Sequence, residues 1–594
     1  MGKEEVKPTL CVPGFGLKVD ERVWGTFPSA VGRWFSIGVT LREKRMMAFI
    51  NDITDKPDWE RKVFDDNIVE RWRAEGDVRP ESLGGDVVLS QKMFDFCIQE
   101  LRDKAALFKE NGLVNIFDAD LTIVKSDTVV SGLIRDALIT GVTALEDVPE
   151  HLKDWHPRSN NMVLDLVHPS LFPVTYGLTK VLPDEKVPLD GCLAYIGKGT
   201  TIDPFTPLCP RPTDNINLPA SMFSFGSFQW LPTDIELSDS GAKILGYINN
   251  LHPEKHRGLY GVLEKIVAAA VPLWEEALNH SKEGRFRIGI RNLGTSEDWT
   301  YPEGLKYRVP GAEEGPKAYY DPIKEVLGDE LDSEDDFDWH NEDEYYDWVN
   351  EHRILRYPEP RNYKSQAELK EGSRIRLREK PSGLQVIFKL ANIHLTPEKP
   401  TYEGGSWHVE GCLNEQICAS AIYYFDQENI TDSHLAFRQS LDSHELLMLP
   451  EQDQYESLAT FLGIEQHGPA VQSLGQVLTR QGRLIAFPNF VQHQVQSFSL
   501  QDKTKPGYRK ILAMFLIDPA RRVLSTSNVP PQRRDWWAEE LRANDVLERR
   551  LPAELVDHTI GLVDDFPISW ETAVEMREKL MDERGADTFS FCEH

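Results

Sequence analysis

The chain has 594 residues, 40% hydrophobic and 27% charged, an ordinary globular balance with material for a sizeable core and, by length, roughly three or four domains. Its 66 basic and 96 acidic side chains give a formal charge of -30, a field that repels nucleic acid and anionic membrane surfaces. Seven scattered cysteines without a C-x-x-C pair, no apolar h-region at the N-terminus and no apolar run of about 18 residues point to a cytoplasmic protein, with no membrane span and no disulfide framework.

In chain order, residues 39–112 read as helical. VTLREKRMMAFINDI and SQKMFDFCIQELRDKAALFKENG place apolar residues at helical spacing, with Ser90 as an N-cap. Between them, DKPDWERKVFDDNIVERWRAE reads as one helix opened by Pro57. Residues 113–235 are rich in Pro and Gly and carry short apolar runs, which predicts irregular structure with short strands. Residues 258–280 predict a helix kinked or restarted near Pro272. The acidic, aromatic-laced run at 328–353 reads as a solvated insertion or a lid. From about 373, short β-branched and aromatic runs such as LQVIFKLANIHL, ICASAIYYF and RKILAMFLI alternate with turns, the pattern of an all-β barrel or sandwich. Helical patterning returns from about 530. The expectation is an α+β protein with a mainly helical region at 1–235, a β core at 236–527 interrupted by the acidic insertion, and a helical C-terminal extension at 528–594.

Within the β region one constellation carries chemistry. His-x-acid pairs arise by chance about two or three times in a chain of this composition, so the bare pattern says little. Three His-x-Glu copies occur, at His252, His340 and His408. His340 lies in the acidic run, and His252 reads as a turn or capping residue. His408 and Glu410 alternate along an extended segment and so face one point. A distant strand supplies His493. Three protein ligands on one face of an octahedron leave positions for a cosubstrate and O₂, which suits ferrous iron. Zinc is the competing metal, although no H-E-x-x-H occurs. Arg509 follows His493 by one hairpin, and its guanidinium would grip the distal carboxylate of 2-oxoglutarate. His394 is a weaker candidate for a fourth ligand.

These residues resemble those of 2-oxoglutarate/Fe(II)-dependent oxygenases with a double-stranded β-helix (jelly-roll, cupin-like) core. The segments ITDKPDWERKVFDDNIVERWR, LQVIFKLANIHLTPEKPTYEGGSWHVEG and PNFVQHQVQSFSLQDKTKPGYRKILAMFLIDP are similar to a mostly fungal family, catalogued as a domain of unknown function, within that superfamily. The resemblance spans about 40 to 525. It implies Fe(II), 2-oxoglutarate and O₂ as requirements, with ascorbate as a stimulant, and succinate and CO₂ as products. It assigns His408, Glu410 and His493 to the metal and Arg509 to the cosubstrate, with Asn414 and Tyr424 as further cosubstrate contacts. The implied reaction is oxidation, in the first place hydroxylation, of a C–H bond of a small molecule. The acidic surround suggests a substrate with a cationic group, such as an amino-acid derivative. The alternatives are a hydroxylase or demethylase of a basic protein partner and a non-enzymatic interaction protein on a degenerate barrel. Substrate and oligomeric state stay open at this level.

Overall fold

The computed structural model describes residues 36–78, 88–202, 227–279, 354–365, 382–442, 456–543, 552–563 and 566–592, with short pieces at 27, 285–289, 299–300, 375–380 and 446. The acidic run at 328–353, with His340, lies outside the described residues.

The N-terminal helices form where caps and apolar spacing coincide. Thr40 accepts the Glu43 N–H and starts α1 (Leu41–Ile53). The expected single helix after Pro57 is instead two pieces, Trp59–Lys62 and Asp66–Glu75. Asp65 accepts the Asn67 N–H and restarts the chain as a fresh N-cap. Ser90 accepts the Met93 N–H and opens α2 (Gln91–Asn111), which ends at Gly112 in the left-handed conformation that a helix C-terminus favours.

Short strands and one helix follow: β1 (Val114–Ile116), β2 (Ile123–Ser126), α3 (Gly132–Glu146), β3 (Asp154–Trp155), β4 (Val163–Val167), β5 (Thr233–Ser238) and β6 (Gly241–Ile244). Next comes α4 (Arg257–Leu278), which keeps Pro272 inside one continuous helix rather than restarting there. The β-rich part comprises β7 (Leu384–Leu395), β8 (Ile417–Glu428), β9 (His434–Ser440), β10 (Val471–Leu478), β11 (Arg483–Pro488), β12 (Gln492–Val495) and β13 (Gly507–Ile517). Helices at Arg534–Ala543, Ala553–Gly561 and Trp570–Cys592 close the chain.

The architecture is α+β around a large antiparallel sheet. Ten strands join in the order β1-β2-β11-β8-β13-β7-β4-β3, with β5 on the first residues of β7 and β6 beside β5. A separate three-stranded sheet has the order β10-β9-β12. The boundary expected at 235 falls inside β5, and strands from both sides of it share the large sheet.

Strand alternation gives the large sheet two distinct faces. Leu384, Val386, Phe388 and Leu390 of β7, with Leu512, Met514 and Leu516 of β13, pack on α3 and α4. Ile387, Ala513, Phe515 and Ile517 face the other way, into a core shared with Leu435 and Phe437 of β9, Leu474 of β10, and Met46 and Phe94 of α1 and α2. This second core lies between the two sheets, and the candidate site opens from it. Among the described residues no helix is long and apolar enough to cross a membrane.

Candidate metal centre

The strand that carries His493 brings His408 to it by main-chain pairing. His408 and His493 exchange both backbone hydrogen bonds, N–H to O at 3.2 and 3.0 Å, as an antiparallel bridge. Residues paired this way project to the same side of the ladder. Their rings accordingly lie 4.3 Å apart, centroid to centroid. Glu410, two residues beyond His408, turns to the same side. Its Oε1 lies 3.7 Å from His408 Nε2 and 3.4 Å from His493 Nε2. Donors held about 2.1 Å from one ion lie roughly 3 to 3.6 Å apart, so these spacings are close to those of a ligand set.

Neighbouring groups hold the three side chains in place. The Ser406 carbonyl lies 2.8 Å from His408 Nδ1. It accepts the Nδ1 proton and leaves the Nε2 lone pair facing Glu410, the tautomer a metal requires. Asn489 clamps the Glu410 main chain: its Oδ1 accepts the Glu410 N–H at 2.9 Å and its Nδ2 donates to the Glu410 carbonyl at 2.7 Å. The same Nδ2 donates to the Ile417 carbonyl at 3.1 Å, which ties the segment to β8. Phe487 packs on the His493 ring at 4.8 Å. His493 is buried, Glu410 nearly so, and His408 is 36% exposed, so the cluster opens on the His408 side.

Burial works against charge on all three residues, and their mutual contacts decide the outcome. Burial would raise the Glu410 pKa, yet the two imidazoles hold its carboxyl ionised well below the usual range. Burial and then the neighbouring His408 push His493 down, toward the neutral, lone-pair-bearing form. For His408, burial is outweighed by Glu410 and the Ser406 carbonyl, and its pKa rises.

Arg509 reaches the interior by another route than the expected hairpin. The His493 strand, β12, pairs with β9 in the small sheet, whereas Arg509 lies on β13 between β7 and β8 in the large one. The turn at 500–506 moves the chain from one sheet to the other, so the two residues lie on different sheets rather than on adjacent strands. Arg509 is fully buried. Its Nη1 donates to the Ser433 hydroxyl and, at 3.1 Å, to the Thr479 hydroxyl. Its guanidinium stacks over Phe498 at 4.7 Å and Tyr424 at 5.2 Å. Nε and Nη2 have no hydrogen-bond partner among the described residues. Burial pulls its pKa below the ordinary guanidinium value, only partly offset by Tyr424 and Tyr402. A buried, unneutralised cation costs several kcal/mol unless an anion joins it, so the surroundings of Arg509 suit a carboxylate ligand.

Tyr424 stands beside Arg509. Asn414 Nδ2 donates to the Phe228 carbonyl at 2.8 Å, while its Oδ1 has no hydrogen-bond partner among the described residues. His394 packs near Trp155 and Tyr508 and takes no part in the cluster. His252 accepts the N–H groups of Glu254 and Lys255 at 3.3 Å each, the turn role its sequence setting suggested. Asn489, Ser433 and Thr479 escaped sequence reasoning. Asn489 alone had a signal, standing after Pro488 at a turn, and the other two come from strand ends remote in sequence.

A second grouping, His156, Asp165 and His168, also gathers ligand-type atoms. Its chemistry is that of a hydrogen-bonded wall. His156 Nδ1 contacts Asp165 Oδ2 at 2.8 Å, and His168 Nδ1 accepts the Ser170 N–H at 3.2 Å. The latter puts the His168 proton on Nε2, the atom a metal would need bare.

Fold and site together define an α+β protein with a candidate His-Glu-His metal centre. The chain belongs to the family described as "Protein of unknown function (DUF4246)", which matches residues 91–540, and residues 12–75 match that family's N-terminal domain. No curated protein matches the chain. Weak structural likeness extends to an Fe(II)/α-ketoglutarate-dependent dioxygenase, TqaL, at 14% identity and TM-score 0.15 over 25% of this chain and 47% of that one. IDO from Bacillus thuringiensis shares 13% identity at TM-score 0.13, over 22% and 45% of the two chains. A bsmA homologue from Methylobium petroleophilum PM1 shares 9% at TM-score 0.14, over 24% and 44%. The chain thus spans less than half the length of each of these proteins.

Proposed function

We propose that this chain is a non-haem Fe(II)- and 2-oxoglutarate-dependent oxygenase acting on a C–H bond of a small molecule, with its two facing sheets forming a double-stranded β-helix. The observation that carries this reading is the convergence of His408 Nε2, Glu410 Oε1 and His493 Nε2 within 4.8 Å of one another, backed by a buried Arg509 that makes no ion pair among the described residues. His408, Glu410 and His493 would hold the metal, and Arg509 the distal carboxylate of the cosubstrate, with the Tyr424 face beside it. When bound, iron with 2-oxoglutarate and O₂ supplies the oxidising power that no side chain has.

The protein's own work is positioning. Ser406 fixes the His408 tautomer, Asn489 fixes the main chain at Glu410, and Ser433 and Thr479 fix the direction of the guanidinium. The apolar core around Phe437 and Phe487 keeps water from the inner side of the cluster.

The test is succinate formation from 2-oxoglutarate by the full chain with Fe(II), read beside iron content after anaerobic reconstitution. His408→Ala and His493→Ala are expected to lose bound iron and turnover together. Arg509→Met is expected to keep iron and raise the KM for 2-oxoglutarate by at least about tenfold, the loss that follows when a buried charge pair loses one partner. Undiminished succinate formation by both histidine variants would sink the assignment.

A further inference from the structure

Lys389 stands out among the groups that the proposed chemistry leaves unused. It lies in the middle of β7, between Ile387 and Ala391 on the face that looks between the two sheets. In register it pairs with Ala513 on β13, whereas Arg509 pairs with Ile393. Lys389 and Arg509 therefore share one face of adjacent strands, displaced by four residues, or about 13 Å. Asp165 on β4 pairs with Ala391, which puts it on the same face as Lys389.

The usual fate of such a lysine is an ion pair with the nearest carboxylate, and here that pair is not made. Asp165 is occupied by His156 at 2.8 Å and approached by Arg577 and His168 at 4.0 Å each. Lys389 is half-buried and has no ion pair or hydrogen bond from its side chain among the described residues. Its charge nevertheless acts on His408, Asp165 and His168. A half-buried ammonium that makes no contact ion pair among the described residues, within electrostatic reach of the open histidine of the metal cluster, can receive an anion.

We propose that Lys389 binds an anionic group, a carboxylate or a phosphate ester, on the molecule to be oxidised. This rests on the oxygenase reading and specifies its substrate class. The chain's overall charge of -30 suggested a cationic substrate, but the two charges on this face that make no ion pair among the described residues, Lys389 and Arg509, are both cationic. Arg509 would take the cosubstrate's anion and Lys389 the substrate's, which separates two anionic molecules along one face.

The experiment is equilibrium binding to the full chain loaded with Mn(II) in place of iron, so that nothing turns over. Butyrate, hexanoate and phenylacetate form the carboxylate arm, and hexyl phosphate and phenyl phosphate the phosphate arm. Each arm is run with and without 2-oxoglutarate, against wild type, Lys389→Met and Lys389→Arg. Saturable binding in at least one arm is expected, at least about tenfold weaker in Lys389→Met and largely restored in Lys389→Arg, with 2-oxoglutarate affinity changed less than about threefold. The arm that responds identifies the anion. Equal affinity in wild type and Lys389→Met, or binding of no acid in either arm, overturns the proposal. So does loss of 2-oxoglutarate affinity in Lys389→Met, which would make Lys389 a cosubstrate anchor. Failure of wild type to bind 2-oxoglutarate would instead sink the oxygenase reading, while the arms run without it still decide whether Lys389 captures an acid.

Discussion

His408 and His493 meet because their peptide groups are bonded to each other, and the placing of their rings follows from that bridge. Glu410 joins them through the period-two alternation that was already legible in the spacing of its motif. What the motif lacked was Asn489, whose amide holds both the N–H and the carbonyl of Glu410. Replacing it by alanine leaves both backbone groups unsatisfied and lets the carboxylate drift. Asn489→Ala is expected to weaken Mn(II) binding about ten- to a hundredfold, the size typical of groups that orient metal ligands, while far-UV circular dichroism stays unchanged. Wild-type metal affinity in that variant would remove Asn489 from the site. Arg509 was picked out in the sequence by residue type, and the fold buries it on β13. Its isolation was not legible there, because Ser433 and Thr479 come from strand ends 76 and 30 residues away.

At the scale of elements, the N-terminal segment is tied to the β core by Ser36, Val39 and Asn51. Ser36 bridges Leu441 just beyond β9, and its hydroxyl donates to Asp120 in the loop between β1 and β2. Burial raises the Asp120 carboxyl from 3.8 to about 6, only partly opposed by the Ser36 hydrogen bond. The folded chain thus holds this proton more tightly than the unfolded one. Its contribution to stability is complete below about pH 4 and is lost as pH rises through 6, by up to about 3 kcal/mol. Asp120→Asn keeps an acceptor for Ser36 and removes the titration. Its melting temperature is expected to rise relative to wild type between pH 4 and 6.5, and parallel curves for the two proteins would contradict this. Element types were largely readable: Ser90 does cap α2, and the β-rich runs from 384 onward are strands. Partners were misread where loops intervene. The turn at 500–506 looks like a hairpin in sequence, but β13 finds longer apolar partners in β7 and β8, burying both of its faces, and the short β12 pairs with β9.

For the whole molecule, the expected division at 235 meets a sheet that ignores it. β2 covers the edge of β11, and β4 and the first residues of β5 cover β7, so residues that precede 236 complete the sheet on both sides. A chain starting at residue 236 would expose those backbone edges and the apolar face that α1 and α2 cover. It is expected to be aggregation-prone and rapidly degraded in limited proteolysis, lacking near-UV circular dichroism. A cooperatively folding fragment would restore the boundary. The sequence by itself determined what is local: helix caps, strand periodicity, the shared direction of His408 and Glu410, and the chemistry that those residue types with His493 and Arg509 permit. Tertiary structure decided what is relational: which strands pair, that Arg509 stands on the sheet opposite His493, that its charge makes no ion pair among the described residues, and that Lys389 faces the same interior. The reason is physical. Periodicity and capping depend on neighbours within a few residues, whereas pairing and charge isolation depend on which distant segments win the burial of apolar surface.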